Sequence, residues 1–380
     1  STNVKNTNFT AAEKQDLTND ILPLAGQLGN RNLIINGAMQ VAQRGTTSTT
    51  NGFGSVDRFP VFSQGTDEAP THAQVEVVSS DSGDNPFAKG FSNCMRITNG
   101  NQTSGAGGGD LIAISYPVEA QDIRTSGWNY NSSSSFVTLS FYVKSSVAQN
   151  FYVMLRSEDG TQRAYVIETG SLTANTWTKI TKTIPGNSNL QFDNNTARGL
   201  LIEFVLFRGT DGTGSVTLNQ WATYSSSARV PNMTSTWYTT NDATFEITGV
   251  QLEVGSVATD FEHRSFGQEL ALCQRYYFKV GYGTQYVSVL VGIMASSTDF
   301  RCTGRWPVPM RVAPTITQSG LEVDSETAAS VAITGLTSSY LDPYSGRLQF
   351  STNSASFGAG QAAQAYTSNT TSFLAGSAEL

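Results

Sequence analysis

The chain has 380 residues, and only 14% of them are charged, with a formal net charge of −7. No Lys/Arg run is present, so binding of nucleic acid by counterion release has no footprint. No stretch approaches the roughly 18 apolar residues of a membrane-spanning helix. The three cysteines, Cys94, Cys273 and Cys302, are odd in number and widely spaced, which argues against a disulfide framework; Cys94, in a strand-like segment, and Cys273, on the apolar face of an expected helix, are read as buried thiols acting as small hydrophobes. Ser, Thr, Asn and Gly take the place of charge, as a protein with many turns requires.

In chain order, residues 1–9 read as polar and extended. Thr10-Ala-Ala-Glu13 forms a capping box that opens a short helix. Leu17, Ile21, Leu24 and Leu28 then fall at heptad a/d spacing, with Pro23 and Gly26 interrupting the run. Two readings of this N-terminal arm (residues 1–29) stay open: attachment to a partner with oligomerisation, or packing on its own domain. Residues 1–30 lack a basic segment followed by an apolar core, so no secretory signal is expected.

From Asn32 the pattern is β. Strands are expected at Leu33–Ile35, Gln74–Val77, Cys94–Ile97, Leu111–Tyr116, Phe136–Lys144, Asn150–Arg156, Arg163–Thr169, Thr176–Thr183, Leu200–Phe207 and Thr244–Val254. Asp159-Gly160 marks a hairpin turn. In the last strand the alternation changes phase at Thr248-Gly249, where glycine permits a bulge. Ser265-Phe-Gly-Gln268 is a second capping box, opening a helix that is expected to run to Tyr277. Further strands are expected at 285–294, 300–308, 315–319, 330–336, 348–352 and 372–374, with residues 353–370 as a long loop or a partner-wrapping arm. The fold class is therefore all-β: a jelly-roll-like β-sandwich (30–264) and a smaller C-terminal β-domain (281–380), joined by one linking helix (265–280) and preceded by the short helical arm.

The sequence offers little catalytic chemistry. Its two histidines, His72 and His263, belong to no zinc pattern, and no G-x-S-x-G nucleophile elbow occurs. Asp57, Glu158, Asp159, Glu203 and Glu253 are read as solvated single carboxylates rather than a glycosidase pair. Asp81-Ser-Gly-Asp84-Asn85 has oxygens suited to calcium but lacks the full loop order, so Asp81 and Asp84 are weak calcium candidates beside the default of a turn. No cofactor is expected. Trp128, Tyr130, Trp237 and Tyr238 lie in polar loops and are the candidate glycan contacts, by stacking on sugar rings, with burial at a subunit interface as the alternative.

Two ordered motifs carry a resemblance. Asn32-Leu-Ile-Ile-Asn-Gly-Ala-Met-Gln-Val-Ala-Gln-Arg-Gly-Thr46 is followed by Val56-Asp-Arg-Phe59. Ile247-Thr-Gly-Val-Gln-Leu-Glu-Val-Gly-Ser-Val-Ala-Thr259 is followed by Phe261-Glu-His-Arg-Ser265 and Glu269-Leu-Ala-Leu-Cys-Gln-Arg-Tyr-Tyr277. Together with the inner segments 136–145 and 175–180, they resemble tail-fibre and other virion-associated proteins of tailed bacteriophages over roughly residues 30–280. The resemblance implies a non-enzymatic virion structural protein on the tail or capsid exterior, assembled in the host cytoplasm. It implies self-association, a homotrimer being usual for fibres, with other virion proteins and a host cell-surface glycan as partners. No nucleic-acid partner or membrane insertion is expected. Head decoration or a head fibre gripping the capsid through the arm is the competing role, and a glycan depolymerase is a distant third.

Overall fold

A computed structural model describes residues 31–326 and 328–380. Leu17, Ile21, Leu24 and Leu28, the heptad positions of the arm, lie outside the described residues. The first strands are β1 (Thr47–Ser48), β2 (Val61–Gln64), β3 (Thr71–Glu76), β4 (Ser82–Gly83), β5 (Asn93–Thr98), β6 (Leu111–Glu119) and β7 (Phe136–Ser145). They are followed by β8 (Asn150–Ser157), β9 (Arg163–Ser171), β10 (Thr176–Pro185), β11 (Arg198–Arg208), β12 (Trp221–Thr223) and β13 (Thr244–Val254). They build a seven-stranded sheet in the order β1-β3-β5-β13-β7-β10-β4, facing a six-stranded sheet in the order β12-β9-β8-β11-β6-β2. Within these, β5-β13-β7-β10 and β6-β11-β8-β9 follow jelly-roll connectivity. The expected sandwich class is present.

Alternation explains the core. Along β11, Leu200, Ile202, Phe204 and Leu206 point inward with Ile112, Ile114 and Tyr116 of β6, and they meet Val137, Leu139, Phe141 and Val143 of β7. The β13–β7 register breaks between Thr248 and Gln251, where Gly249 has φ of 62°. This is the bulge anticipated at Thr248-Gly249.

The segment expected as a first strand, Leu33–Ile35, is not one. It holds to β13 by the Leu33 N–H on Leu252 O and then enters a turn, with Asn36 at φ 62°. Ile34 is buried, with Leu33 and Ile35 partly so, and the segment is held by side-chain hydrogen bonding instead of by a ladder. The Asn32 amide donates to Val250 O and accepts from the N–H groups of Ile34 and Leu252. Asn36 donates to Val41 O and Asp57 O and accepts from Val41 N–H, while its own N–H reaches Glu269 Oε1. Gly37 belongs here because a Cβ would lie 2.1 Å from Val250 O. The two motifs are thus halves of one hydrogen-bonded seam.

Helix Phe266–Gln274 carries the anticipated reciprocal capping box between Ser265 and Gln268, but it stops short of Tyr277. Tyr277 instead begins β14 (Tyr277–Val280), which lies beside β22 (Phe373–Ser377) and β17 (Thr315–Ser319) in a small sheet, β14-β22-β17. The remaining strands are β15 (Ser288–Met294), β16 (Asp299–Arg305), β18 (Leu321–Ser325), β19 (Ala328–Leu341), β20 (Ser345–Thr352) and β21 (Ala362–Thr367). They close a barrel in the order β15-β16-β20-β19-β18-β21. β21 falls inside the segment expected as a loop. Its inward residues include Ala363 and Ala365, whose small side chains leave only a weak apolar signal. Cys94, Cys273 and Cys302 are all buried free thiols.

Sandwich and C-terminal strands meet across a charged seam. Glu119, with no exposed surface, accepts two 2.8 Å bonds from Arg275 and a 2.6 Å bond from the Tyr276 hydroxyl. Arg58, also buried, pairs with Glu379, donates to Pro117 O and lies 3.5 Å over the Tyr276 ring. Arg311 donates to the carbonyls of Ala378, Glu379 and Thr196.

Removing the Glu119 charge strands Arg275, so Glu119→Gln should destabilise the protein by about 3–5 kcal/mol in urea denaturation at pH 7. Asp122 behaves oppositely. Burial pushes its pKa up to about 6, with Glu119 adding to the rise. The folded chain therefore binds this proton more tightly than the unfolded one. That contribution is complete below the usual value near 3.8 and is lost as pH rises through about 6. Asp122→Asn should stabilise the protein at pH 8 by about 1 kcal/mol, with the advantage gone at pH 4. An equal effect at both pH values would show that the carboxyl is not strained by burial.

Candidate functional site

Three of the four expected glycan contacts are not presented to solvent. Trp237 and Tyr238 are fully buried, Trp128 nearly so, and Tyr130 is half-buried against the same core. Their polar atoms are satisfied internally: Trp237 Nε1–H donates to Thr244 O, Trp128 Nε1–H to Ser135 O, and the Tyr238 hydroxyl to Asp110 Oδ2. Tyr238 also stacks on Phe207 at 4.2 Å. The polar neighbours in sequence belong to tight turns over the core, and the aromatic rings plug the ends of the sandwich. Trp128, Trp237 and Tyr238 are corrected from ligand contacts to core, while Tyr130 keeps partial exposure at its edge.

Three carboxylates expected at the surface, Asp57, Glu203 and Glu253, are also buried. Glu253 accepts from Thr259 N–H and its hydroxyl, and Asp57 from the backbone and side chain of Gln43. Asp81 Oδ2 accepts from Lys144 Nζ at 2.6 Å and Trp177 Nε1 at 2.9 Å, and Asp84 Oδ2 from Lys179 N–H. The oxygens proposed for calcium thus hold an ammonium, an indole and a backbone amide. Among the described residues no group of three or more His, Cys, Asp or Glu comes together as a metal site.

The histidines are structural as well. His72 and Ser55 are both buried, with Ser55 Oγ 2.7 Å from Nδ1 and Thr50 O 3.0 Å from Nε2. A carbonyl at Nε2 requires that nitrogen to carry the proton, so the serine donates to Nδ1. Burial lowers the His72 pKa, and the pair has no access to substrate. His263 packs on Phe91 and Phe261 and bonds to Lys89 O.

One concave surface combines exposure with built-in polar groups, on the outer face of the six-stranded sheet. Half of that face is roofed by the segment following β11: Val216, Leu218, Tyr224, Val230 and Met233 cover Met154, Ala164, Val166 and Val205. Beyond the roof a groove of about 420 Å³ remains, inside the ~300–1,000 Å³ of small-ligand sites. Its floor comes from cross-strand rows, Phe62 beside Ala113, Ser115 beside Glu203 and Pro117 beside Leu201. Arg198, Arg208, Arg229 and Asn51 stand around it.

Phe62 is 46% exposed and offers a flat apolar face. Glu203 and Arg208 are nearly buried and joined at 2.7 Å. The Nε atoms of Arg198, Arg208 and Arg229 are buried without a hydrogen-bond partner among the described residues, so any donors these arginines offer a ligand are their terminal N–H groups. A ring to stack on, beside guanidinium donors of fixed position, suits a sugar: its C–H face packs on the aromatic ring while its hydroxyls take the donors. Glu203 is the groove's one side-chain carboxylate, and it is engaged by Arg208. Sequence reasoning overlooked Phe62, whose short strand is bounded by Pro60 and Gly65. Its signal was period-2 alternation, with Val61 inward and Phe62 outward.

No protein-family model matches the sequence, and no curated protein matches it. Solved structures do show similarity. The enzymatically active domain of tailspike protein 4 from bacteriophage CBA120 matches over 59% of this chain with 11% identity and a TM-score of 0.30, this chain spanning 21% of the tailspike's length. The family 11 carbohydrate-binding module of Clostridium thermocellum, in complex with a β-1,3-1,4-mixed-linked tetrasaccharide, matches over 56% of this chain and 98% of the module, with 14% identity and a TM-score of 0.25. The N-terminal cellulose-binding domain of Cellulomonas fimi β-1,4-glucanase C matches over 58% of this chain and 99% of that domain, with 8% identity and a TM-score of 0.27.

The two kinds of aromatic separate on mutation. Trp237→Ala should destabilise the fold by about 3–5 kcal/mol as a core cavity. Phe62→Ala should stay within about 0.5 kcal/mol of wild type. Thermal and urea denaturation measure both, and a well-tolerated Trp237→Ala would return that residue to the list of surface contacts.

Proposed function

We propose that the chain is a non-enzymatic bacteriophage virion structural protein of the tail-fibre or receptor-binding type, which contacts host surface glycans through the groove over β6 and β11. The observation that carries this reading is the groove itself: an exposed ring at Phe62 beside Arg208 and Arg229, on a rigid sheet, with one carboxylate already neutralised by its neighbour. Glycoside cleavage needs two carboxyl groups roughly 5–9.5 Å apart, and the groove supplies one. The motifs at 32–46 and 247–277 support the virion assignment. Self-association as a homotrimer and attachment to other virion proteins through residues 1–29 complete the proposal.

Binding of the full chain to host lipopolysaccharide or capsular polysaccharide tests it. Affinity should fall about tenfold in Phe62→Ala and in Arg229→Gln. No reducing ends should appear over hours of incubation. Unchanged affinity removes the groove from the proposal, and released oligosaccharide replaces binding with depolymerisation. Light scattering should give a trimer mass. Labelling on assembled particles should place the chain on the tail; capsid labelling would favour the head-decoration role.

A further inference from the structure

The C-terminal barrel carries a second feature, separate from the groove. Most arginines elsewhere in the described structure are tied down: Arg44, Arg58, Arg96, Arg156, Arg198, Arg208, Arg264 and Arg275 all pair with carboxylates. Three barrel arginines have no carboxylate within ion-pair distance among the described residues. They are Arg301 and Arg305 on β16 and Arg347 on β20, all exposed.

Strand geometry places them together. Arg301, Thr303 and Arg305 alternate along β16, so they share the outer face, with Arg301 and Arg305 about 13 Å apart. Thr303 pairs with Arg347, which pairs in turn with Tyr340 of β19. The Arg347 guanidinium lies 4.3 Å from the Tyr340 ring centre, and Tyr340 is 65% exposed. Tyr344, 67% exposed, sits in the β19–β20 turn beside Arg305, because Arg305 pairs with Ser345 and Trp306 N–H donates to Tyr344 O. Arg301 donates to Gln349 Oε1 from Nε and Nη2. Of the barrel's strand carboxylates, Glu322 and Asp324 lie on β18, away from β16 in the barrel order, while Asp299 opens β16 and accepts from Ser296 Oγ.

Three unneutralised guanidiniums in a chain with net charge −7, flanked by two exposed phenol rings on rigid strands, form a surface with a defined chemical preference. The guanidiniums favour planar or tetrahedral oxyanions, which they bind by paired N–H donors. The tyrosines favour sugar faces, and their hydroxyls bond sugar oxygens. We infer that the β16–β20–β19 face is a second carbohydrate-binding surface, specific for anionic glycans whose sugars carry carboxylate or phosphate groups. It stands independently of the groove.

The test uses the full chain in calorimetric titrations with polygalacturonate, a phosphorylated mannan, neutral dextran and polyglutamate of matched charge. At least one of the two anionic glycans should bind, more weakly at higher salt because the face is exposed, and the better binder identifies the acid group. The double variant Arg305→Gln/Arg347→Gln should lose about tenfold or more in affinity, and Tyr340→Ala/Tyr344→Ala about fivefold. All four positions are exposed, and circular dichroism checks that the variants fold. Phe62→Ala should leave this binding unchanged, which separates it from any failure of the groove. The inference is overturned if neither anionic glycan binds or if polyglutamate binds as tightly as the glycans. It is equally overturned if the tyrosine variant is indistinguishable from wild type, or if Phe62→Ala abolishes the signal.

Discussion

Glu119 has no contact with solvent and three donors aimed at it from beyond the sandwich, and the rest of the assembly is organised around that fact. A buried carboxylate must be compensated, and here compensation comes from Arg275 and Tyr276, at the point where the linking helix gives way to β14. Fixing those two residues fixes the departure of the C-terminal strands. Arg58 extends the same arrangement: stacked on Tyr276 and paired with Glu379, it draws the last residues of the chain against the sandwich. Leu380 thereby reaches the wall of the groove over the six-stranded sheet.

The two motifs at 32–46 and 247–277 acquire a physical meaning in this frame. Asn32 and Asn36 use side-chain amides where a strand would use its backbone, and Arg264 closes the seam by donating to Asn32 O and Ile34 O. Gln251, Glu253 and Thr259 form a parallel set of contacts at the end of β13. None of these residues lines the groove. They hold the chain's entry into the sandwich against its exit, so the motifs report on the scaffold and leave ligand preference to other positions.

Ligand-accessible chemistry lies where covering segments stop. The 216–233 segment dries one half of the six-stranded sheet and leaves the other half open, and Phe62 emerges at that border. On the barrel, the tight turn through Asp342 to Ser345 leaves the outer face of β16 and β20 uncovered, and the unpaired arginines stand there. Both surfaces rest on paired strands, so a bound sugar would meet side chains whose spacing is already set.

From the sequence alone, period-2 alternation was enough to place most sandwich strands and the bulge at Thr248-Gly249, and the Ser265–Gln268 capping box to place the start of the helix, because each depends on neighbours within a few residues. Burial of the Cys94 and Cys273 thiols was legible for the same reason of local chemistry. Burial of Trp237, Tyr238, Glu203 and Glu253 was not, since it is decided by segments distant in the chain. A Trp in a polar loop and a Trp plugging a sandwich have the same neighbours in sequence and opposite surroundings in space. Leu33–Ile35 read as a strand because it is an apolar triplet, and only the partners of Asn32 and Asn36 show the segment held by side-chain hydrogen bonds instead. β21 escaped notice because alanine is too small to mark an inward face. Which aromatic ring meets solvent, and which arginine lacks a carboxylate, depends on contacts between strands far apart in the chain, and those contacts exist only once the sheets have formed.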